Sequence, residues 1–122
     1  MCIFCEIPPE RIIKSNSLAL AFEDIYPVTK HHTLIIPKYH AKTYFDLTPY
    51  ERESCNDLIM EMKESIEAKD PTVTGFNIGM NSGKSAGQTV FHCHIHLIPR
   101  RDGDMENPQG GVRGVIPDKQ KY

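Results

Sequence analysis

"VFHCHIHLI", from Val90 to Ile98, carries three histidines at every second position. The residues between them are apolar, the run is short, and the glycine-containing stretch "SGKSAGQT" (Ser82 to Thr89) precedes it, so it reads as a strand. In a strand successive side chains face opposite sides. His92, His94 and His96 therefore share one face, while Phe91, Cys93, Ile95 and Leu97 share the other and read as core. Same-face neighbours lie about 6 to 7 Å apart. Three imidazoles in that register can converge on one phosphate or share a metal.

Working outward, "TGFNIGMN" (Thr74 to Asn81) reads as a strand, and so do "LALAFED" (Leu18 to Asp24) and "HHTLIIPKYH" (His31 to His40), with Pro27 as a break between the last two. Between His40 and Thr74 the pattern changes to a helix. Thr48 is a natural N-cap, Pro49 suits the first helical position and Glu51 completes a capping box, while Lys69, Asp70 and Pro71 mark the stop. Cys55, Leu58, Ile59, Met62 and Ile66 recur at helical spacing, so this helix packs on the core by one stripe. The tail "PRRDGDMENPQGGVRGVIPDKQKY" has no periodicity. The sum is a strand-rich α+β domain around one long helix, a single domain over residues 1–122 with 101–122 a less regular tail.

A net charge of −2 over 122 residues gives no broad electrostatic footprint for nucleic acid or an anionic membrane. No apolar run approaches the roughly 18 to 20 residues of a membrane span, and the start "MCIFCEIPPERIIK" lacks the features of a signal peptide. The four cysteines are too few and too uneven for a disulfide scaffold, which implies a reducing compartment, and the expectation is a soluble cytoplasmic protein.

"GMNSGKS" (Gly79 to Ser85) falls short of a P-loop, because three residues rather than four separate Gly79 from Gly83 and a strand follows instead of a helix. Its glycines still let backbone amides approach a ligand, and Asn81, Ser85, Gln88 and Thr89 add donors suited to phosphate; the alternative is an ordinary polar turn. A neutral imidazole is itself nucleophilic near neutral pH. If one ring nitrogen donates to a fixed carbonyl, the tautomer is locked and the other nitrogen is aimed. Cys93 points away from the histidine face, which argues against a cysteine nucleophile.

"HCHIHLI" matches the His-x-His-x-His-x-x pattern of the histidine triad superfamily of nucleotide hydrolases and transferases. The likeness runs in order through "CIFCEI", "LAFEDIYP", "HHTLIIPKYH" and "NSGKSAGQTVFH", covering most of the chain. The resemblance implies an antiparallel half-barrel sheet with one long helix and a short one, paired into a homodimer. It implies that His94 attacks the α-phosphorus of a nucleotide, that His96 contacts the same phosphate, and that Asp24 holds the ribose hydroxyls. Asn81, Gly87, Gln88 and Thr89 would cradle the phosphate, with His32 a support near the triad. Single Cys-x-x-Cys pairs lack half the ligands of a zinc site. Relatives with this pair resemble zinc binders completed by two histidines, which maps onto Cys2, Cys5, His40 and His92 as a structural site; no organic cofactor is implied.

The tail "HLIPRRDGD" resembles dinucleoside polyphosphate hydrolases, and the Trp-Pro-Pro-Gly ending of nucleoside phosphoramidases is absent. The leading expectation is a homodimeric hydrolase of a purine nucleoside 5′-phosphate derivative, a diadenosine polyphosphate among the candidates. A phosphoramidase, a hydrolase with catalytic metal on the triad, and a non-catalytic nucleotide-binding module remain the alternatives. The segment from Glu106 on is read either as a mobile tail or as a lid bringing Arg113 to substrate or partner.

Overall fold

The computed structural model describes residues 2–122. Five strands, β1 (Ile12–Ser15), β2 (Ala19–Glu23), β3 (Thr33–Pro37), β4 (Gly75–Gly79) and β5 (Ile95–Arg100), form one antiparallel sheet in the order β1-β2-β3-β5-β4. The long helix α1 (Pro49–Lys69) links β3 to β4. Its start is the expected box: Thr48 Oγ1 accepts from Glu51 N at 3.2 Å, and Glu51 Oε1 accepts from Thr48 N at 2.9 Å. It stops where Asp70 N donates to Ile66 O and Pro71 has no N–H to extend the ladder.

Helix and sheet meet through Cys55, Leu58, Met62 and Ile66 on one side and Ala19, Ala21, Ile35, Cys93, Ile95 and Leu97 on the other. A smaller cluster, Phe22, Leu34 and Ile36 with Phe4 and Ile7, covers the opposite face. Every residue of β3 is buried because both faces of that strand are covered, as a continuous apolar run requires. Asn16 fixes the β1–β2 turn to the helix: its Oδ1 accepts from Ala19 N and its Nδ2 donates to Ser54 O at 2.8 Å.

Two expectations need correction. The strand expected from Val90 begins only at Ile95, because the preceding residues bond elsewhere: Cys93 N donates to Ala41 O at 2.7 Å. Phe91 is consequently 44% exposed rather than core, while His92 is fully buried. Short helices are present as 3₁₀ helices, at Pro9–Arg11, Tyr44–Asp46, Lys84–Ala86, Gly111–Val115 and Pro117–Lys119. The last two belong to the tail, which holds no strand or α-helix. The tail closes on itself at Gly110, at φ 87°, where an added Cβ would lie 1.7 Å from Gln120 O.

Candidate active site

His96 lies in β5 while His92 and His94 precede it, and each of the three is bonded differently. His92 Nε2 faces Pro37 O at 2.9 Å and His94 Nδ1 faces His92 O at 2.8 Å. A carbonyl oxygen only accepts, so both nitrogens carry hydrogen. In the neutral rings the lone pair then sits on His92 Nδ1 and on His94 Nε2, opposite atoms of the two imidazoles.

His96 is set through a longer chain. Val28 N–H donates to His32 Nδ1 at 3.0 Å, so neutral His32 has its hydrogen on Nε2. That atom lies 2.9 Å from His96 Nδ1 and donates to it, leaving His96 with hydrogen on Nε2. Burial lowers the His32 pKa against the opposing pull of Asp24. Burial, joined by repulsion from His32 and His94 and resisted by Asp24, pushes His96 down to about 4. Near neutral pH the chain is uncharged and the hydrogens stay where the backbone sets them. His94 thus presents an acceptor and His96 a donor, with ring centroids 5.4 Å apart.

Asp24 Oδ1 accepts from Tyr26 N at 2.8 Å, an Asx turn at the end of β2, and Oδ2 lies 3.6 Å from His32 Nε2 and 4.0 Å from His96 Nδ1. Asp24, His32 and His96 have the donor types of a cation site. Their spacing is that of a hydrogen-bonded chain, whose 2.9 Å link a shared cation would have to break.

Asp24, Thr89, His94 and His96 line one pocket of about 260 Å³, whose apolar walls include Phe4, Phe22, Leu34 and Ile25. Asn81 lies outside it, in a neighbouring hollow that also reaches His96. Gly87, at φ 95°, ends the 3₁₀ turn of the glycine loop. Gln88 is buried and its amide is fully engaged: Oε1 accepts from Gly83 N, and Nε2 donates to Lys42 O and Val90 O. In this conformation it braces the loop. Arg113 does not reach the pocket; Nε donates to Lys119 O and the guanidinium lies 5.0 Å over the Tyr122 ring.

Cys2, Cys5, His40 and His92 converge. Cys2 Sγ and Cys5 Sγ each lie 3.5 Å from His92 Nδ1, and Cys5 Sγ lies 3.3 Å from His40 Nδ1. Ligands at 2.0 to 2.3 Å from a tetrahedral ion are separated by roughly 3.3 to 3.8 Å, the range of these three separations, and all four ligand atoms lie within 4.8 Å of one another. Burial lowers the His92 pKa, against the pull of Pro37 O, and the imidazole stays neutral as a ligand must. Burial and the neighbouring Cys2 raise the Cys5 thiol pKa, a cost that a bound cation removes. The four residues fit a closed metal site.

Sequence reading missed Phe4. Its ring packs edge-on against His94 at 5.1 Å and Phe22 at 5.5 Å, so the segment between the two cysteines forms a pocket wall. The signal was its place within "CIFC": whatever holds both cysteines also holds Phe4.

Fold and site together define a histidine triad protein, of the class of nucleotide-binding hydrolases and transferases. The HIT domain family matches residues 6–103, and the chain belongs to that family. It is 43% identical to an uncharacterised HIT-like protein of Methanocaldococcus jannaschii, over 98% of this chain and 95% of that one. It is 39% identical to an adenosine 5′-monophosphoramidase of Schizosaccharomyces pombe, over 81% of this chain and 74% of the relative. Among solved structures, a zinc-bound histidine triad family protein from Mycobacterium smegmatis matches with a TM-score of 0.77 and 34% identity, covering 87% of this chain and 79% of that one. Among the described residues no helix is long and apolar enough to cross a membrane.

Proposed function

We propose that this chain hydrolyses a nucleoside 5′-phosphate derivative at its α-phosphorus through a nucleotidyl-histidine. The observation that carries the reading is the opposite hydrogen placement on His94 and His96 in one pocket. His94 Nε2 attacks the α-phosphorus, a P–N bond forms, and the bond to the leaving group breaks with its electron pair on the departing atom. Water then attacks the same phosphorus, the P–N bond breaks, and the nucleoside monophosphate leaves with His94 neutral again. His96 Nε2–H donates to a non-bridging oxygen, where charge builds in both steps. Thr89 adds a hydroxyl, Gly87 opens backbone room, and Asn81 approaches from the adjoining hollow. Asp24 Oδ2 accepts from the ribose, and Phe4, Phe22 and Leu34 supply an apolar slot suited to a purine.

Zinc at Cys2, Cys5, His40 and His92 fits a structural role, since all four positions are filled by protein and none is left for substrate. When bound it contributes folding free energy and pins the N-terminal segment. A homodimer is supported by β4, an edge strand with Ile78 exposed, continuing into the exposed Val112, Val115 and Ile116 of the tail. Light scattering over a concentration series tests it. The fission-yeast relative favours a phosphoramidase as the second reading. Product analysis on diadenosine polyphosphates, adenosine phosphoramidates and nucleotide sugars separates the two, and no turnover on any of them contradicts both.

A further inference from the structure

The segment between β2 and β3 carries a histidine that none of these roles uses. His31 sits at φ 73°, the only non-glycine residue with positive φ among the described residues. A glycine reaches that backbone without steric cost, whereas a Cβ is crowded there, so the chain carries strain that a bare backbone would relieve. The side chain kept at that cost lies between two carboxylates: Nδ1 is 3.7 Å from Glu23 Oε1, and Nε2 is 3.9 Å from Asp70 Oδ2. Both separations exceed a hydrogen bond, and Nδ1 is buried with no hydrogen-bond partner among the described residues. Asp70 is itself fixed, because Thr72 Oγ1 and Arg101 Nη2 donate to it at 2.5 and 2.8 Å. Arg101 Nη2 also donates to Lys30 O at 3.1 Å, and Thr29 Oγ1 donates to Pro99 O. Residues 29–31 are thereby tied to the end of β5 and to the residue that caps α1.

His32 follows directly. Its carbonyl accepts from Asp24 N at 3.0 Å, its N–H donates to Thr29 O at 3.1 Å and its Nδ1 accepts from Val28 N–H, so its place is set within the segment that His31 pins. We propose that His31 is a positioning residue: wedged between Glu23 and Asp70, it holds the left-handed turn that keeps His32 Nε2 aimed at His96 Nδ1, and so keeps the hydrogen of His96 on Nε2. The effect on turnover rests on the nucleotidyl-histidine reading above; the hydrogen placement does not. A hydrogen bond weakens steeply once its distance or angle departs from the optimum, and the 2.9 Å link from His32 is the contact that selects the His96 tautomer. Slack in the turn therefore reaches His96 as an exchange of hydrogen between its two nitrogens. Backbone strain persists where the surrounding contacts over-determine it, and here it adjoins the residue that sets the donor to phosphate.

The test is long-range proton–nitrogen correlation NMR of the imidazoles in the full chain, without substrate, above about pH 7, where burial keeps His32 and His96 neutral. Wild type is expected to show a single tautomer at both residues, with hydrogen on Nε2. His31→Gly keeps the left-handed backbone and removes the ring; His31→Asn also reaches that backbone readily but is too short to span both carboxylates. In both variants tautomer exchange is expected at His32 and His96, while the melting temperature stays within about 5 °C of wild type, because relief of strain offsets the lost contacts. Turnover of an adenosine 5′-phosphoramidate is expected to lose about threefold to fivefold in kcat with KM little changed, less than removal of the His32 donor itself would cost. A single Nε2–H tautomer at His96 in both variants overturns the proposal. So does a melting temperature that falls well beyond that range, which makes His31 a support of the fold instead. An unchanged kcat beside exchanging tautomers overturns the link to turnover. Wild type with no turnover on any nucleotide substrate overturns the hydrolase reading, and the tautomers then still decide the role of His31.

Discussion

His92 and His94 are two residues apart, both anchored to a backbone carbonyl, and their surroundings send them to different chemistry. Pro37 O takes the Nε2 hydrogen of His92, which leaves Nδ1 facing two cysteine sulfurs. His92 O takes the Nδ1 hydrogen of His94, which leaves Nε2 free in the pocket lined by Asp24, Thr89 and His96. Residue type supplies an imidazole to each; which ring nitrogen meets a carbonyl decides whether the free lone pair faces the cysteine sulfurs, as a metal corner would need, or the pocket, as the proposed attack on phosphorus would need. The two regions still share a wall, because Phe4, between the cysteines, packs on His94.

The largest expected break in that comparison is His94→Ala. Turnover should fall by about a thousandfold or more, while metal content and melting temperature stay near wild type. His92→Ala should do the reverse in kind: metal is lost and the melting temperature falls by about 10 °C, as loss of several kcal/mol of binding free energy implies for a domain of this size. Chelation of wild type sharpens the link between the regions. Loosening Cys2 and Cys5 frees Phe4, so KM should rise while kcat at a temperature that keeps the fold changes little; loss of kcat with the fold intact would instead favour catalytic metal.

His32→Phe removes the donor to His96 Nδ1 and so releases the tautomer that aims the Nε2 hydrogen. A drop in kcat of about tenfold is expected, the scale of one charge-assisted hydrogen bond. The smallest effect is in stability against pH. His96 stays neutral in the fold down to about 4 and takes up its proton near the ordinary 6.5 when unfolded. The unfolded state therefore binds more protons between those values, and the stability contributed by His96 is full above 6.5 and is lost as pH drops from 6.5 toward 4. That contribution is roughly 2 to 3 kcal/mol. Asp70 and Asp104, whose carboxyl pKa values are lowered chiefly by hydrogen bonds from Thr72 and Arg100, lose stability only below about 3.8. Urea melts between pH 6.5 and 4.5 check it, and His96→Asn should flatten the slope.

Much of this was legible in the chain. The helix announced itself by Thr48, Pro49, Glu51 and an apolar stripe, all local signals, and the core strands β2 and β3 by apolar runs between turns. β1, four residues with three exposed, carries no such signal. The row of histidines and the Cys-x-x-Cys pair showed which residues matter. The hydrogen on His94 is set by its near neighbour His92 O, but those on His92 and His96 depend on Pro37 O and on His32, groups distant in sequence that no spacing rule reads. The same long-range bonding, from Cys93 N to Ala41 O, delays β5 and turns Phe91 outward. Gln88 was legible as a polar loop residue, but its brace to Lys42 O spans a separation that only the fold closes.

The central claim is that His94 Nε2 makes a covalent bond to phosphorus. Rapid quench of wild type with an adenosine 5′-phosphoramidate, followed by peptide mapping in mild base, should find an acid-labile adenylyl group on the peptide bearing His94 and none on His94→Ala. Full turnover by His94→Ala, or turnover by wild type with no adduct at any quench time, would contradict it.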